Sequence, residues 1–453
     1  MFEDYHFSDD AKIISKKVPG EKSLELLAEQ EKLESRNRSY SRGIPIAFES
    51  AKGATVKDVD GNIFIDFFSG CGVLNLGHNN PEILKDIKEI PDAIMHALDF
   101  PTKVKIDFMK ELLGTLPKDM QGKYKISFGG PTGSDAVEAA IKLARINTGR
   151  HTIISFQGSY HGMTMGAMSV TSKLSHREKV NSLIPGVHFM PYSNCYRCSM
   201  GLNSKKCGSA CVNFLKNALN NPYSGIDKPA AIIIEPIQGE SGTCIPRDGW
   251  LEKITEIAKK KGILVIFDEI QAGFYRTGKL FSFEHAKAIP DIITMSKGIG
   301  GIGSPLSLII FKKELDVWEP GTHIGTFRGN QTAMMAGLSA LRLIKKWQIE
   351  KYVSKMEKLF LRELKSIQKK SKFIGDVRGK GMMFGVEYVK DKKTKEPFPE
   401  LAKKMRKLCY ENGLLVEIGG LYNNVVRFLP PLIISEKLAN NGLRIFEKAN
   451  DAA

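Results

Sequence analysis

WLEKITEIAKKKGILVIFDE (250–269), followed by DIITMSK (291–297), is the stretch whose reading decides the fold. It runs from an amphipathic helical pattern through a stop at Gly262 into the unbroken apolar run 263–267. The acidic pair Asp268-Glu269 closes that run, and a second apolar run closes on Lys297. Continuous apolar runs bounded by polar residues are how strands read when both faces are covered, and their alternation with helices indicates a mostly parallel sheet. The alternation extends backwards through AAIIIEP (230–236), GVHFMPY (186–192), HTIISF (151–156), SDAVEAAIKLARINTG (134–149) and YKISF (124–128), and forwards to PLSLIIF (305–311). An α/β domain with helices on both sides of its sheet is therefore predicted. Ahead of it, residues 21–36 read as an amphipathic helix, and the alternating run 48–70 turns at Asp60-Gly61 as a hairpin does. Beyond Asn330 the pattern becomes α+β. The expected organisation is an N-terminal segment over 1–75, a large domain over 76–335 and a smaller C-terminal domain over 336–453.

Composition excludes several classes. The 453 residues are 42% hydrophobic and 26% charged, which is a globular balance, and the 42 glycines follow no triplet period. The least polar segment, 298–311, is glycine-rich and shorter than the roughly 18–20 apolar residues a membrane span needs. The opening MFEDYHFSDD is acidic where an export leader is basic and apolar, so a cytoplasmic protein is expected. Most of the +16 net charge falls beyond Leu341, in runs such as KKSK (369–372) and KKMRK (403–407). These lysines punctuate a helical apolar pattern and lack interleaved aromatics, so they read as a solvated helix face, with neither nucleic acid nor membrane as partner.

Ligands of such sheets bind beyond the carboxyl ends of the strands, and here several ends are polar. GGPTGSD (129–135) opens directly into a helix, offering free N–H groups and a positive dipole end to a phosphate; the same residues also suit an ordinary N-cap. Asp268 ends one strand, where a buried acid is costly unless paired or functional, and Lys297 ends the next, where a desolvated amine can form a Schiff base. Phosphate turn, acid and lysine on three strands of one sheet resemble the contacts of pyridoxal 5′-phosphate (PLP). The G-x-G-x-x-G match at 298–303 is a decoy: a strand, not a helix, follows it.

IFDEIQAGFYRTGKLFSFEHAKAIPDIITMSK (266–297) then identifies the chain as resembling the class III, fold-type I PLP-dependent aminotransferases over nearly its whole length. The resemblance implies a seven-stranded, mostly parallel sheet between helices plus a smaller α+β domain. It implies that Lys297 forms the Schiff base, Asp268 pairs with the pyridine nitrogen and Gln271 reaches the ring oxygen. It also implies that Gly133 and Ser134 hold the phosphate and that Tyr160 stacks on the ring with His161 beside it, and places Glu235 near the imine, where it could equally be an acid that simply finishes a buried strand. Thr326 of GTFRGN is similar to a residue reaching the neighbouring subunit's phosphate, so a homodimer is implied and a tetramer left open. Arg427 resembles the family's carboxylate-binding arginine, and Glu240 a glutamate that pairs with it when a substrate brings no carboxylate there. Ser241 stands where a glycine is usual.

DFFSGCGVLNLGHNNP (66–81), FGGPTGSDAVEAAIKLAR (128–145) and LDVWEPGTHIGTFRGN (315–330) resemble the diaminobutyrate–2-oxoglutarate aminotransferases most. The expected reaction moves an amino group between glutamate/2-oxoglutarate and L-2,4-diaminobutyrate/aspartate 4-semialdehyde. A PLP-dependent racemase or epimerase, or a 4-aminobutyrate-type aminotransferase, shares the same cofactor residues. One feature stands apart: Cys195, Cys198, Cys207 and Cys211 have a spacing compatible with structural zinc or an iron–sulfur cluster, or with clustered free thiols. Cys71 is not needed as a nucleophile, and Cys244 and Cys409 read as packing residues.

Overall fold

The computed structural model describes residues 1–89, 95–180 and 182–453. Near the N-terminus, β1 (Phe48–Lys52), β2 (Thr55–Asp58) and β3 (Ile63–Asp66) form an antiparallel meander. The β2–β3 turn falls at Asp60-Gly61, where Gly61 takes φ +87° and the Asp58 carboxylate accepts the N–H groups of Asp60 and Asn62.

The apolar runs become β4 (Tyr124–Phe128), β5 (Ile153–Phe156), β6 (Val187–Met190), β7 (Ala231–Ile234), β8 (Leu264–Asp268), β9 (Ile292–Met295) and β10 (Leu308–Lys312). They form one seven-stranded sheet in the order β4-β10-β9-β8-β7-β5-β6, in which β10 alone runs against its neighbours. The reason is the connection: the link from β9 holds only a short 3-10 turn at Lys297–Gly300 and glycine-rich turns, with no crossover helix to bring a parallel strand back. Helix Gly133–Thr148 covers one face, packing Val137, Ala140 and Leu143 on Ile153, Ile233, Ile266 and Ile309. Helix Trp250–Lys260 packs Trp250, Leu251, Ile254 and Ala258 into the core on the other side. Every residue of β7 is buried, as a strand covered on both faces must be.

The remaining chain breaks at Gln348 (φ +49°) between helices Gln331–Lys346 and Ile349–Lys370, then enters β11 (Ile374–Lys380) and β12 (Met383–Tyr388). The run LLVEIGG (414–420) divides at Val416. β13 (Leu414–Leu415) joins the N-terminal meander beside β3, while β14 (Glu417–Gly419) and β15 (Val425–Phe428) complete a sheet of order β11-β12-β15-β14. The basic runs lie mostly on exposed helix faces: Lys369, Lys370, Lys403, Lys404 and Lys407 face solvent on helices Ile349–Lys370 and Pro399–Glu411, while Ile367, Met405 and Cys409 are buried. Among the described residues no helix is long and apolar enough to cross a membrane.

Candidate active site

The C-terminal ends of β4, β5, β7, β8 and β9 surround a cavity of about 210 Å³. Its floor at one end is the start of helix Gly133–Thr148. Asp135 folds back to accept the Thr132 N–H (2.8 Å) and hydroxyl (2.9 Å), so the acid is spent on capping. That leaves the N–H groups of Gly133 and Ser134 without a carbonyl partner among the described residues and directed by the helix dipole. Gly133 sits against Ile270, where a Cβ would meet side-chain carbons at 3.0 Å.

Asp268 and His161 form the buried centre. His161 Nδ1 and Asp268 Oδ2 are 2.7 Å apart, Asp268 Oδ1 accepts the Ile270 N–H at 3.0 Å, and His161 Nε2 is buried with no partner. Glu235, at the end of β7, accepts the N–H groups of Tyr160 and Gly239, both at 2.9 Å. Burial pushes its carboxyl up to about 7, opposed by His161 and reinforced by the charge of Asp268. Glu269 points the other way, as strand alternation requires. It accepts from the Ser282 N–H and hydroxyl and from the Phe283 N–H, tying down the 3-10 turn Ser282–His285, and burial pushes it up to about 8.

Lys297 leaves β9 in the left-handed region (φ +51°), a conformation that costs a non-glycine residue about 1–3 kcal/mol. It lines the cavity with Asp268, Tyr160 and Gln271. At the same wall Glu240 Oε1 lies 2.8 Å from Arg427 Nη2 on β15, and Arg427 Nη1 donates to Gln271 Oε1 at 3.2 Å. Arg427 is 1% exposed and its Nε has no partner among the described residues. Burial raises the Glu240 carboxyl, but Arg427 and then Lys297 outweigh it and hold Glu240 below its usual range. Gln271 also donates to the Cys71 carbonyl at 3.2 Å, which brings residues 69–72 to this wall. Burial raises the Cys71 thiol, the opposite of an activated nucleophile.

The structure thus brings Gly133, Ser134, Tyr160, His161, Glu235, Glu240, Asp268, Gln271 and Lys297 to one cavity, with Arg427 behind Glu240. Unpaired N–H groups, a hydrogen-bonded buried acid and an amine form a donor set that fits PLP. Thr326 is elsewhere: it is exposed on the 3-10 turn Thr326–Gly329 and does not line the cavity. Thr132, within the 129–135 turn, lines the wall too, as do Gly162, Ile237, Ile270 and Ala272, which nothing in their local sequence marks.

The possibility of a metal at the cysteine cluster finds no support. Among the described residues no group of three His, Cys, Asp or Glu side chains can hold a metal ion. Cys195 is exposed, Cys207 donates to the Ser204 carbonyl, and Cys211 lies in the first turn of helix Ala210–Asn220 packed on the main core, so Cys195, Cys198, Cys207 and Cys211 do not converge as ligands. Cys244 and Cys409 are buried.

Comparison with known proteins adds three findings. The family model described as aminotransferase class-III matches residues 37–449. The diaminobutyrate–2-oxoglutarate aminotransferase of Haemophilus influenzae is 42% identical over 93% of this chain and 94% of its own; that of Rhizobium meliloti is 40% identical over 90% and 89%. Among solved structures, the taurine:2-oxoglutarate aminotransferase of Bifidobacterium kashiwanohense, in complex with PLP and glutamate, superposes with a TM-score of 0.86 at 27% identity, covering 95% of this chain and 98% of that one.

Proposed function

Because the chain belongs to the class III aminotransferases, and is a PLP-dependent transaminase of fold-type I, we propose that it exchanges amino groups between glutamate/2-oxoglutarate and the ω-amino group of L-2,4-diaminobutyrate. The observation that carries this reading is the Glu240–Arg427 pair beside Lys297. Glutamate bears a carboxylate on the carbon that loses its proton, and a buried arginine suits it. The reacting C4 of diaminobutyrate bears none, and Arg427 then needs another anion, because an unpaired buried charge is strongly destabilising. Glu240 supplies it. The names of the two bacterial relatives support the choice of substrate.

Bound PLP supplies the electron sink that makes the proton at the reacting carbon removable. The chain's own residues do the rest. The N–H groups of Gly133 and Ser134, without a partner among the described residues, would hold the phosphate at the helix start. Asp268, oriented by His161 and the Ile270 N–H, would hold the pyridine nitrogen and supply it with a fixed negative charge. Lys297 Nζ, at the cavity wall, would take up the proton at the substrate carbon as base and then hold it as acid. A continuous assay of glutamate formed from L-2,4-diaminobutyrate and 2-oxoglutarate tests the reading: product is expected only with both substrates present. Interconversion of amino-acid enantiomers without a keto acid would establish the racemase reading instead.

The switch gives a first expected result. Glu240→Ala should impair the half-reaction with diaminobutyrate by roughly tenfold or more, leaving Arg427 unpaired there, while sparing the half-reaction with glutamate; stopped-flow traces with each donor measure both.

The reading extends to a homodimer. Thr326 sits among Ile324 (74% exposed) and Phe327 (67% exposed), and Ala97 donates to the Gly329 carbonyl, bringing exposed Leu98 and Phe100 alongside. A second copy of the chain is the occupant that would cover this patch and bring Thr326 to its phosphate site. Thr326→Ala is then expected to weaken PLP retention by about tenfold, measured by cofactor fluorescence on dialysis, and unchanged retention would count against the shared site. All seven cysteines are free, which suits the reducing cytoplasm.

A further inference from the structure

The residues that bring Glu240 to Arg427 lie outside the cavity. The segment after β7 turns back on itself: Gln238 and Cys244 exchange backbone hydrogen bonds (3.0 and 2.9 Å), and Gly242 and Thr243 donate to the Gly239 carbonyl (3.0 and 3.1 Å). This turn carries Glu240 at its tip and rests on the C-terminal sheet. Arg378, on β11, donates through Nε to the carbonyls of Gly242 (2.9 Å) and Thr243 (3.1 Å). Its Nη1 is held by Asp376 (2.8 Å) and by Glu387 of β12 (2.6 Å), and Glu387 in turn pairs with Arg197 from the loop after β6. A second anchor is the Gly420 N–H, which donates to the Glu240 carbonyl at 2.9 Å.

The packing leaves little slack. A Cβ at Gly385 would meet the Gly242 carbonyl oxygen at 2.7 Å, and one at Gly242 would meet Val425 at 2.8 Å. On the opposite side Ser241 donates to Gln238 Oε1 at 2.9 Å, and Gln238 donates to the Gln157 carbonyl at 3.0 Å. The backbone on which Glu240 swings is thus fixed from both sides, and the sheet that presents Arg427 also holds that backbone.

We propose that Arg378, clamped by Glu387, is a positioning residue for substrate choice: it holds the Glu240 turn in register with Arg427, so that exchange between the two substrates needs only a side-chain rotation of Glu240. This rests on the Glu240–Arg427 switch read above. A four-bonded guanidinium locks a turn where a lysine does not, because a single ammonium on a flexible stem cannot serve two carbonyls and two carboxylates in a plane. Releasing the turn leaves Glu240 free to drift from Arg427, which exposes the arginine to any carboxylate offered.

The test is a double-mutant cycle on the PLP-loaded protein with Arg378→Gln, Glu240→Ala and the pair. Two quantities are read: the ratio of single-turnover rate constants for diaminobutyrate and glutamate, and the affinity for glutarate, a non-reacting dicarboxylate, by calorimetry. Arg378→Gln should shift the ratio about tenfold toward glutamate and tighten glutarate binding, and it should add nothing once Glu240 is alanine. Arg378→Lys, which keeps a charge against Glu387 but loses the carbonyl bonds, should shift both in the same direction; it is the variant to read should the glutamine variant fail to fold. An unchanged ratio in the Arg378 variants, or an equal shift with Glu240 already removed, overturns the positioning role. An unchanged ratio in Glu240→Ala alone overturns the switch, and the inference with it.

Discussion

Lys297→Ala is expected to lose transamination and the visible absorption of lysine-bound cofactor together, while the cooperative thermal transition persists. Lys297 follows β9 at the cavity wall and makes no hydrogen bond to another side chain or backbone group among the described residues, so its removal strands no partner there. What disappears is the cavity-wall amine able to move a proton at the substrate carbon, and a positioned acid–base group contributes on the order of 10²–10⁴ in rate by that role alone. Single-turnover mixing with glutamate measures the loss. Partial recovery on adding a small primary amine is expected, because a free amine can enter the space the side chain vacates. Substantial unassisted turnover would remove Lys297 from the chemistry.

Asp268→Asn carries the second large effect. The substitution keeps shape and hydrogen-bonding capacity toward His161 Nδ1 and the Ile270 N–H, which now lie 2.7 and 3.0 Å from the carboxylate oxygens, yet it deletes the charge. A buried, preorganised charge facing a site of developing charge is typically worth about 10²–10³ in rate, so a loss of that order in both half-reactions is expected at nearly unchanged thermal stability. Equal loss with both donors separates Asp268 from Glu240 and Arg378, whose variants should discriminate between donors. A rate within a few-fold of the unmodified protein would mean that the ring nitrogen does not depend on this carboxylate.

The parts of this molecule that are legible in its sequence are those written locally. The unbroken apolar runs mark buried strands because nothing polar can be spared on either face, and their polar last residues stand out for the same reason: Asp268 and Lys297 close such runs, and both line the cavity. The same logic does not distinguish Asp268 from Glu269, since side chains alternate across a strand and only one of the two can face the site. Glu269 is spent on the turn at Ser282.

The Arg378 clamp is silent in the sequence. Arg197, Gly242, Arg378 and Glu387 come from separate elements, and their chemistry exists only once the C-terminal sheet docks under the Glu240 turn. The cysteines fail in the opposite direction. Their spacing is local and suggestive, but the helix starting at Ala210 carries Cys211 into packing on the core while Cys195 remains outside, so spacing alone does not produce convergence. The run 414–420 shows a third limit, because its two halves pair in different sheets and only tertiary structure reveals the break at Val416.

The most direct test of the account is the visible spectrum of the purified, PLP-loaded protein titrated with glutamate in the absence of any keto acid. The account predicts that the band of the lysine-bound cofactor disappears as glutamate gives up its amino group, that 2-oxoglutarate appears in equal amount to the enzyme, and that excess 2-oxoglutarate restores the band. A band that persists unchanged in saturating glutamate would contradict it.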